Sequence, residues 1–291
     1  MKRNKESLFV HTIIILCCIP CLAAFLLVIA VSFSNETDIL RNGYKFIPEH
    51  FDLSAYKYIF ANPKQVLSAY YVTAVSTVFG TIFAVLMMSM LAYAISRKDF
   101  IFKVPFSFLL FFTMLFSGGL VPTYILVTQY LHLNDTIWVF IILGALAPAH
   151  VNMLKTFYYT ISPSLLDAAK LDGASEMTTL FKIVMPIAKP AIATIALMTA
   201  LGKWNDWYTC LLYITDDNLL TLQYLLQRME RDVQLLTQGI DNLPAGLEDL
   251  VRAPEETIRM AMVVVTTGPM LCVFPFFQKY FTKGIMVGSL K

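Results

Sequence analysis

The chain has 291 residues, 57% hydrophobic and only 14% charged, where a soluble globular domain runs about 45–50% apolar and about 25% charged. A single core cannot hide that much apolar side chain, so the composition argues against a water-soluble enzyme and calls for lipid to cover the remainder. The formal net charge of +2 decides nothing by itself; the placement of the charges does.

The first apolar window, residues 12–34, carries no charge over 23 positions, enough at 1.5 Å per residue to cross a hydrocarbon layer of about 30 Å. It exceeds the apolar stretch of about 7–15 residues of a secretory signal and lacks a clear small-residue cleavage site, so a retained first helix is expected. Windows 66–96 and 104–134 are each free of Asp, Glu, Lys and Arg for 31 residues, long enough for a tilted helix with an interfacial turn. A fourth span is expected over 136–154, and a fifth over 190–215 with Lys203 and Asp206 inside it. The sixth, 260–278, carries Pro269 and Pro275. The expected architecture is an all-α polytopic membrane protein, one transmembrane domain over residues 1–291 with six helices. The five cysteines all lie in apolar stretches and their number is odd, so no disulfide framework is expected.

Six spans put both termini on one side. With the N-terminus inside, the inner segments hold thirteen basic and five acidic residues, and the outer segments eight and fourteen. That is the positive-inside bias, which places both termini in the cytoplasm and calls for no nucleic-acid partner. The outer segment 216–259 carries Leu222, Leu225, Leu226, Met229, Val233 and Leu236 at spacings of three and four. An amphipathic external helix is expected there, lying on the membrane, capping the bundle or docking an external protein.

The inner segment 162–189 is more specific. Ser162-Pro163-Ser164 offers an N-cap with proline in the first turn, and Leu165 to Leu171 read as two turns of helix. Asp172-Gly173 ends it, because glycine allows the left-handed backbone of a reversal. A second helix is expected over 175–184, stopping ahead of Pro186. The product is a helix–turn–helix knob whose Ala168, Ala169 and Ala174 let another protein approach closely.

At these residues the chain resembles a known family. Asp167-Ala168-Ala169, three residues, Gly173, nine residues, Ile183, one residue, Met185-Pro186 is similar to the EAA loop of permease subunits in binding-protein-dependent ABC importers. Asp167 stands where the family has glutamate, and Met185 where it has leucine. The stretches Ser117 to Tyr124, Gly202 to Trp207 and Phe276 to Gly284 resemble the carbohydrate-uptake branch, similar to the maltose-system and LplC-like permeases. The resemblance implies the type I importer permease fold, with Asp167, Ala168, Ala169, Asp172, Gly173, Ala174, Ile183 and Pro186 coupling it to an ATPase. It implies as partners a second homologous permease, an ATP-binding cassette subunit dimer that uses ATP and Mg, and an extracellular solute-binding lipoprotein, in the cell membrane of a bacterium. No cofactor is expected on this chain. Gly202-Lys203 is the one Gly-Lys pair and no glycine stands five residues before Gly202, so there is no Walker A loop.

Lys203 and Asp206 sit about 20 Å above Pro190 by the helical rise. Ionisable groups at such depth face a bundle interior, so with Trp204, Asn205 and Trp207 they are candidates for a sugar pathway, against a local Lys–Asp pair flanked by interfacial tryptophans. Gly118, Gly119 and Pro122 mark a break in the third span and a candidate gate. Neither a metal site nor an enzyme is expected: His11, His50, His132 and His150 are scattered, with no HExxH and no glutamate at ligand spacing, and there is no G-x-S-x-G elbow. The competing reading is a stand-alone channel or secondary transporter not driven by ATP.

Overall fold

The computed structural model describes the backbone of residues 2–240 and 255–288 and the side chains of residues 11–235, 255–273 and 275. Residues 241–254 of the expected external excursion, and the side chains of the 276–284 motif, lie outside the described residues. In chain order, α1 (Lys2–Ser32), α2 (Glu36–Asn42) and α3 (Ser54–Ile59) lead into the long α4 (Pro63–Ser96). Next come α5 (Lys103–Leu115) and α6 (Leu120–Ile125), the latter running on as a π-turn over Leu126–Tyr130. They are followed by α7 (Trp138–Ile142) and α8 (Pro148–Tyr158). The knob is α9 (Pro163–Leu171), α10 (Glu176–Thr179), a π-turn over Leu180–Val184 and α11 (Met185–Ile187). Then α12 (Lys189–Trp204), α13 (Tyr208–Tyr213), α14 (Leu222–Ile240) and α15 (Glu255–Gly288) complete the chain. Among the described residues there is no strand, only one isolated bridge between Ser34 and Phe51.

Among the described residues, three helices are long and apolar enough to cross a membrane as single rods, over His11–Ser32, Pro63–Ser96 and Glu255–Val273. The expected third span is instead a pair, Lys103–Leu115 and Leu120–Tyr130, bent by 117°. Lys189–Trp204, which opens the expected fifth span, is likewise paired with Glu176–Ile187 across an 85° bend. Counting each pair as one span gives five. The fourth window, 136–154, departs most from expectation. There α7 stops at Ile142, Gly144 adopts φ +73°, and α8 restarts at Pro148. A charge-free window stays apolar while it turns, because glycine enters the left-handed region without a Cβ clash and proline is preset for a first helical turn.

The chain divides into two compact units. In Leu67–Tyr224 with Met270–Lys291, the core gathers Ala84, Met88, Ala92 and Ile95 of α4, Val151 and Leu154 of α8, Leu180 and Val184 of the π-turn, and Ile195 of α12. The α4 residues recur every three or four positions, and alanines in that stripe let neighbouring helices approach closely, which is what drives helix packing in lipid. Two hydroxyl side chains of α4, Thr73 and Ser76, are buried as well. Ser76 Oγ donates back to Thr73 O at 3.1 Å, while Thr73 Oγ1 accepts the first N–H of α14, from Leu222, at 2.8 Å.

In Met1–Val66 with Leu225–Pro269, Glu36 caps the start of α15. Its carboxylate accepts the N–H groups of Glu256 (3.0 Å) and Thr257 (2.9 Å) and the Thr257 hydroxyl, satisfying donors that a helix N-terminus otherwise leaves orphaned. Arg259 forks onto Glu230 of α14 and onto Glu255 and Glu256 of its own helix at 2.8–3.2 Å. Of the expected amphipathic stripe, Leu222, Leu225, Leu226 and Val233 are buried, and Met229 is half-buried.

Candidate functional site

Local backbone chemistry builds the knob. Pro163 opens α9, as the sequence predicts. The Ser162 hydroxyl, however, hydrogen-bonds to that of Ser164 (2.8 Å) and makes no cap to the backbone. At the other end Gly173 takes φ +75°, its N–H donates to Lys170 O (3.0 Å), and Ala174 N–H donates to Ala169 O (2.9 Å). These two bonds are a Schellman motif, which closes the helix with a glycine in the left-handed region. Ser175 then caps α10, its Oγ accepting the Thr178 N–H at 3.2 Å. The second arm does not stop ahead of Pro186. The π-turn carries it into α11, which holds Pro186.

Asp167, Ala168, Asp172, Gly173 and Pro186 are exposed on this knob, and Ala174 and Ile183 are half-buried. Ala169 is buried against its own chain, so it does not offer the open small surface the sequence suggested. What the knob presents instead is apolar. Leu171, at the tip, is 89% exposed, and Met177 on the second arm is 55% exposed. Sequence reasoning passed over both. The available signal was spacing: Leu166 and Ala169, three positions apart, share one face of α9, and Leu171 falls off it.

Below the knob lies a charged cluster. Lys170 Nζ reaches Asp99 at 2.5 Å and Glu176 at 3.5 Å, and Tyr93 Oη donates to Glu176 at 2.5 Å. Its hydrogen bond from Lys170 holds the Asp99 carboxyl below the usual range, and the same bond raises Lys170.

The 202–207 candidates form the junction between α12 and α13. Lys203 donates from Nζ to the main-chain carbonyls of Phe140 and of Leu143, the latter at 3.2 Å. It thereby caps the C-terminal end of α7, where a cation meets the negative end of the helix dipole. Gly80 makes room for it: a Cβ built there would stand 2.6 Å from Lys203 Cδ. Asn205 Nδ2 donates to Leu201 O (2.9 Å), and the Asp206 carboxylate accepts the Thr209 N–H (3.0 Å). Trp204 is buried, and Trp207 meets Tyr208 edge-on with ring centroids 5.7 Å apart. Of the five, Asn205 is the exposed one.

Gly118, Gly119 and Pro122 lie at the 117° bend. Gly119 takes φ +86° before α6, and Thr123 Oγ1 donates to its carbonyl at 2.8 Å. All three are exposed.

No protein-family model matches the chain. It is 37% identical over its full length, and over the full length of the relative, to the polygalacturonan/rhamnogalacturonan transport system permease protein YtcP of Bacillus subtilis (strain 168). It is 36% identical to protein LplC of the same organism, over 92% of this chain and 88% of that one. Among solved structures it resembles a bacterial ABC transporter involved in the import of the acidic polysaccharide alginate, with a TM-score of 0.77 and 28% identity over 95% of this chain and 98% of that one. Full-length identity of this order, on a helical membrane fold that superposes on an importer, has one consequence: the chain belongs to the permease subunits of carbohydrate-importing ABC transporters.

Proposed function

We propose that the chain pairs with a second homologous permease, an ATP-binding cassette dimer and an extracellular solute-binding lipoprotein, and admits oligosaccharides by alternating access. ATP and Mg belong to the cassette subunits. Both termini and the 162–189 loop face the cytoplasm, where Asp167, Ala168, Ala169, Asp172, Gly173, Ala174, Ile183 and Pro186 form the coupling element. The observation that carries this reading is the knob itself: a reversal closed by its own backbone bonds, with Leu171 displayed at the tip. An apolar side chain so exposed on an ordered turn is suited to insertion in a partner's groove. Closure of the cassette dimer would then turn the permease helices as bodies.

The names of the relatives, drawn from pectic and alginate transport, support an oligosaccharide cargo. Lys203, Trp204, Asn205, Asp206 and Trp207 are proposed to shape its path, with Gly118, Gly119 and Pro122 as the gate. Asn205 and Trp207 supply an amide and an aromatic face, while Lys203 and Asp206 act on the backbone around them. The test is purification of the tagged chain from native membranes, followed by uptake of labelled oligogalacturonate into vesicles. Co-elution of a cassette ATPase and a second permease, with uptake that needs ATP, is expected. A chain that elutes alone and passes solute without ATP would instead establish the channel or secondary-transporter reading.

A further inference from the structure

We propose that Tyr93, Arg97 and Asp99, at and just beyond the end of α4, clasp Lys170 and Glu176 of the knob and act as positioning residues that carry its displacement into α4. This inference rests on the coupling role proposed above for the knob, and none of the five belongs to the EAA pattern.

The clasp is a ring of two cations and two carboxylates in which each cation touches both acids. Lys170 Nζ stands 2.5 Å from Asp99 and 3.5 Å from Glu176. Arg97 stands 3.4 Å from Asp99 through Nε and 3.7 Å from Glu176 through Nη2. Tyr93 adds a hydroxyl hydrogen bond to the second carboxylate oxygen of Glu176 at 2.5 Å, across 83 residues of sequence. Lys170 lies in α9 and Glu176 opens α10, so the two anchor points straddle the Gly173 reversal. Both arms are held, and the knob cannot tilt without drawing on α4.

Two of the three residues on the α4 side are anchored in the core. Tyr93 is 6% exposed and sits beside the fully buried Ala92 and Ile95, and the Arg97 side chain is 11% exposed, with its guanidinium 5.9 Å from the Tyr93 ring. The knob side has room. A cavity of about 360 Å³ adjoins the ring, lined by Met90, Ala94, Phe100, Met177 and Leu180 together with every clasp residue but Lys170. A close-packed seam of that size would resist rotation; an apolar hollow under Met177 permits it. With the charges balanced two against two, either cation can tighten on either acid while each charge keeps a partner, and Lys170, Asp99 and Glu176 remain open to solvent as they do so. The proposed relay is an exchange of partners among these same four groups as the knob moves.

The test uses the complete complex in lipid nanodiscs for ATP hydrolysis and assembly, and in vesicles for transport. Glu176→Gln keeps an acceptor for Tyr93 but removes the charge, and Tyr93→Phe removes the hydroxyl alone. Both are expected to leave subunit stoichiometry and ATP hydrolysis intact while solute moved per ATP falls about fivefold or more, the lower range of a functional coupling. Lys170→Arg, which keeps a cation between Asp99 and Glu176, is expected to hold transport per ATP near the parental value while Lys170→Met loses it, a difference that lost packing on one side would not produce. Unchanged transport per ATP in both Glu176→Gln and Tyr93→Phe would overturn the clasp, as would losses of transport that only track losses of assembled complex. If the unmodified complex transports without ATP, the coupling role falls and the clasp with it; if it couples normally and the variants do too, only the clasp falls.

Discussion

The knob of residues 163–187 and the junction of residues 202–221 are both short, motif-rich stretches, and they spend their polar atoms in opposite ways. In the knob the backbone closes on itself through Gly173, Ala174 and Ser175, which frees Asp167, Leu171 and Met177 to face outward. In the junction the side chains are consumed by backbone. Lys203 goes to two carbonyls of the broken fourth window, Asn205 to Leu201, Asp206 to Thr209, and the Thr221 hydroxyl to Asp206 O at 3.0 Å. Side chains named by a motif therefore act as contacts in one place and as scaffolding in the other.

Substitution separates the two. Lys203→Met is expected to have the largest effect, because two carbonyls at membrane depth lose their donor at a cost of about 1–3 kcal/mol each; a lowered apparent melting temperature in detergent is the readout. Asp167→Asn, on the exposed knob, should stay within about 0.5 kcal/mol of the parent by the same measurement. A melting loss for Asp167→Asn as large as that of Lys203→Met would erase the contrast. Next comes Gly80→Val, whose new side chain meets Lys203 within 2.7 Å and should cost about 1–3 kcal/mol as overpacking. Combined with Lys203→Met it should cost less than the two losses added, since both act on one contact.

Gly173→Val is expected to be milder in stability and severe in function. Nothing lies within 4 Å of a Cβ at that position, so the penalty is the left-handed backbone alone, about 1–2 kcal/mol. Membrane insertion should be retained while ATP-driven uptake is lost, and uptake at the parental rate would argue against the knob as the coupling element. The smallest effect concerns pH. The Asp99 carboxyl is held below its ordinary value by Lys170. Its contribution is therefore in place above the unfolded value of about 3.9 and is lost only as pH falls through the lower folded value. Protease accessibility of the knob should be flat from neutral pH down to that range and rise below it; a rise already near pH 6 would assign the change to another group.

Much of the knob was legible because its signals are local. Gly173 after Asp172, Pro163 after Ser162 and the spacing from Asp167 to Pro186 are all read within 25 residues. The breaks in the third, fourth and fifth windows were harder. A charge-free run reports what the surroundings must be, not the path the backbone takes through them, and Gly144 in an apolar window looks like any membrane glycine. The partners of Lys203 had no sequence signal at all, since every residue carries a carbonyl. Tyr93 and Glu176 are 83 positions apart, and only the packing of α4 against the knob brings them together. Ala169 misled for a related reason: a small residue serves equally well under a neighbour or against a partner.

The contact that holds the end of α7 has a consequence for how the protein varies. Because Lys203 grips the main chain at Phe140 and Leu143, the identities of those two side chains are not what it recognises. Replacing them one at a time would report only on their own packing, which for the buried Phe140 is costly to lose, and would leave this anchor untouched. The dependence surfaces only at positions 60 or more residues away in sequence, at a glycine and a lysine that no inspection of the fourth window would single out.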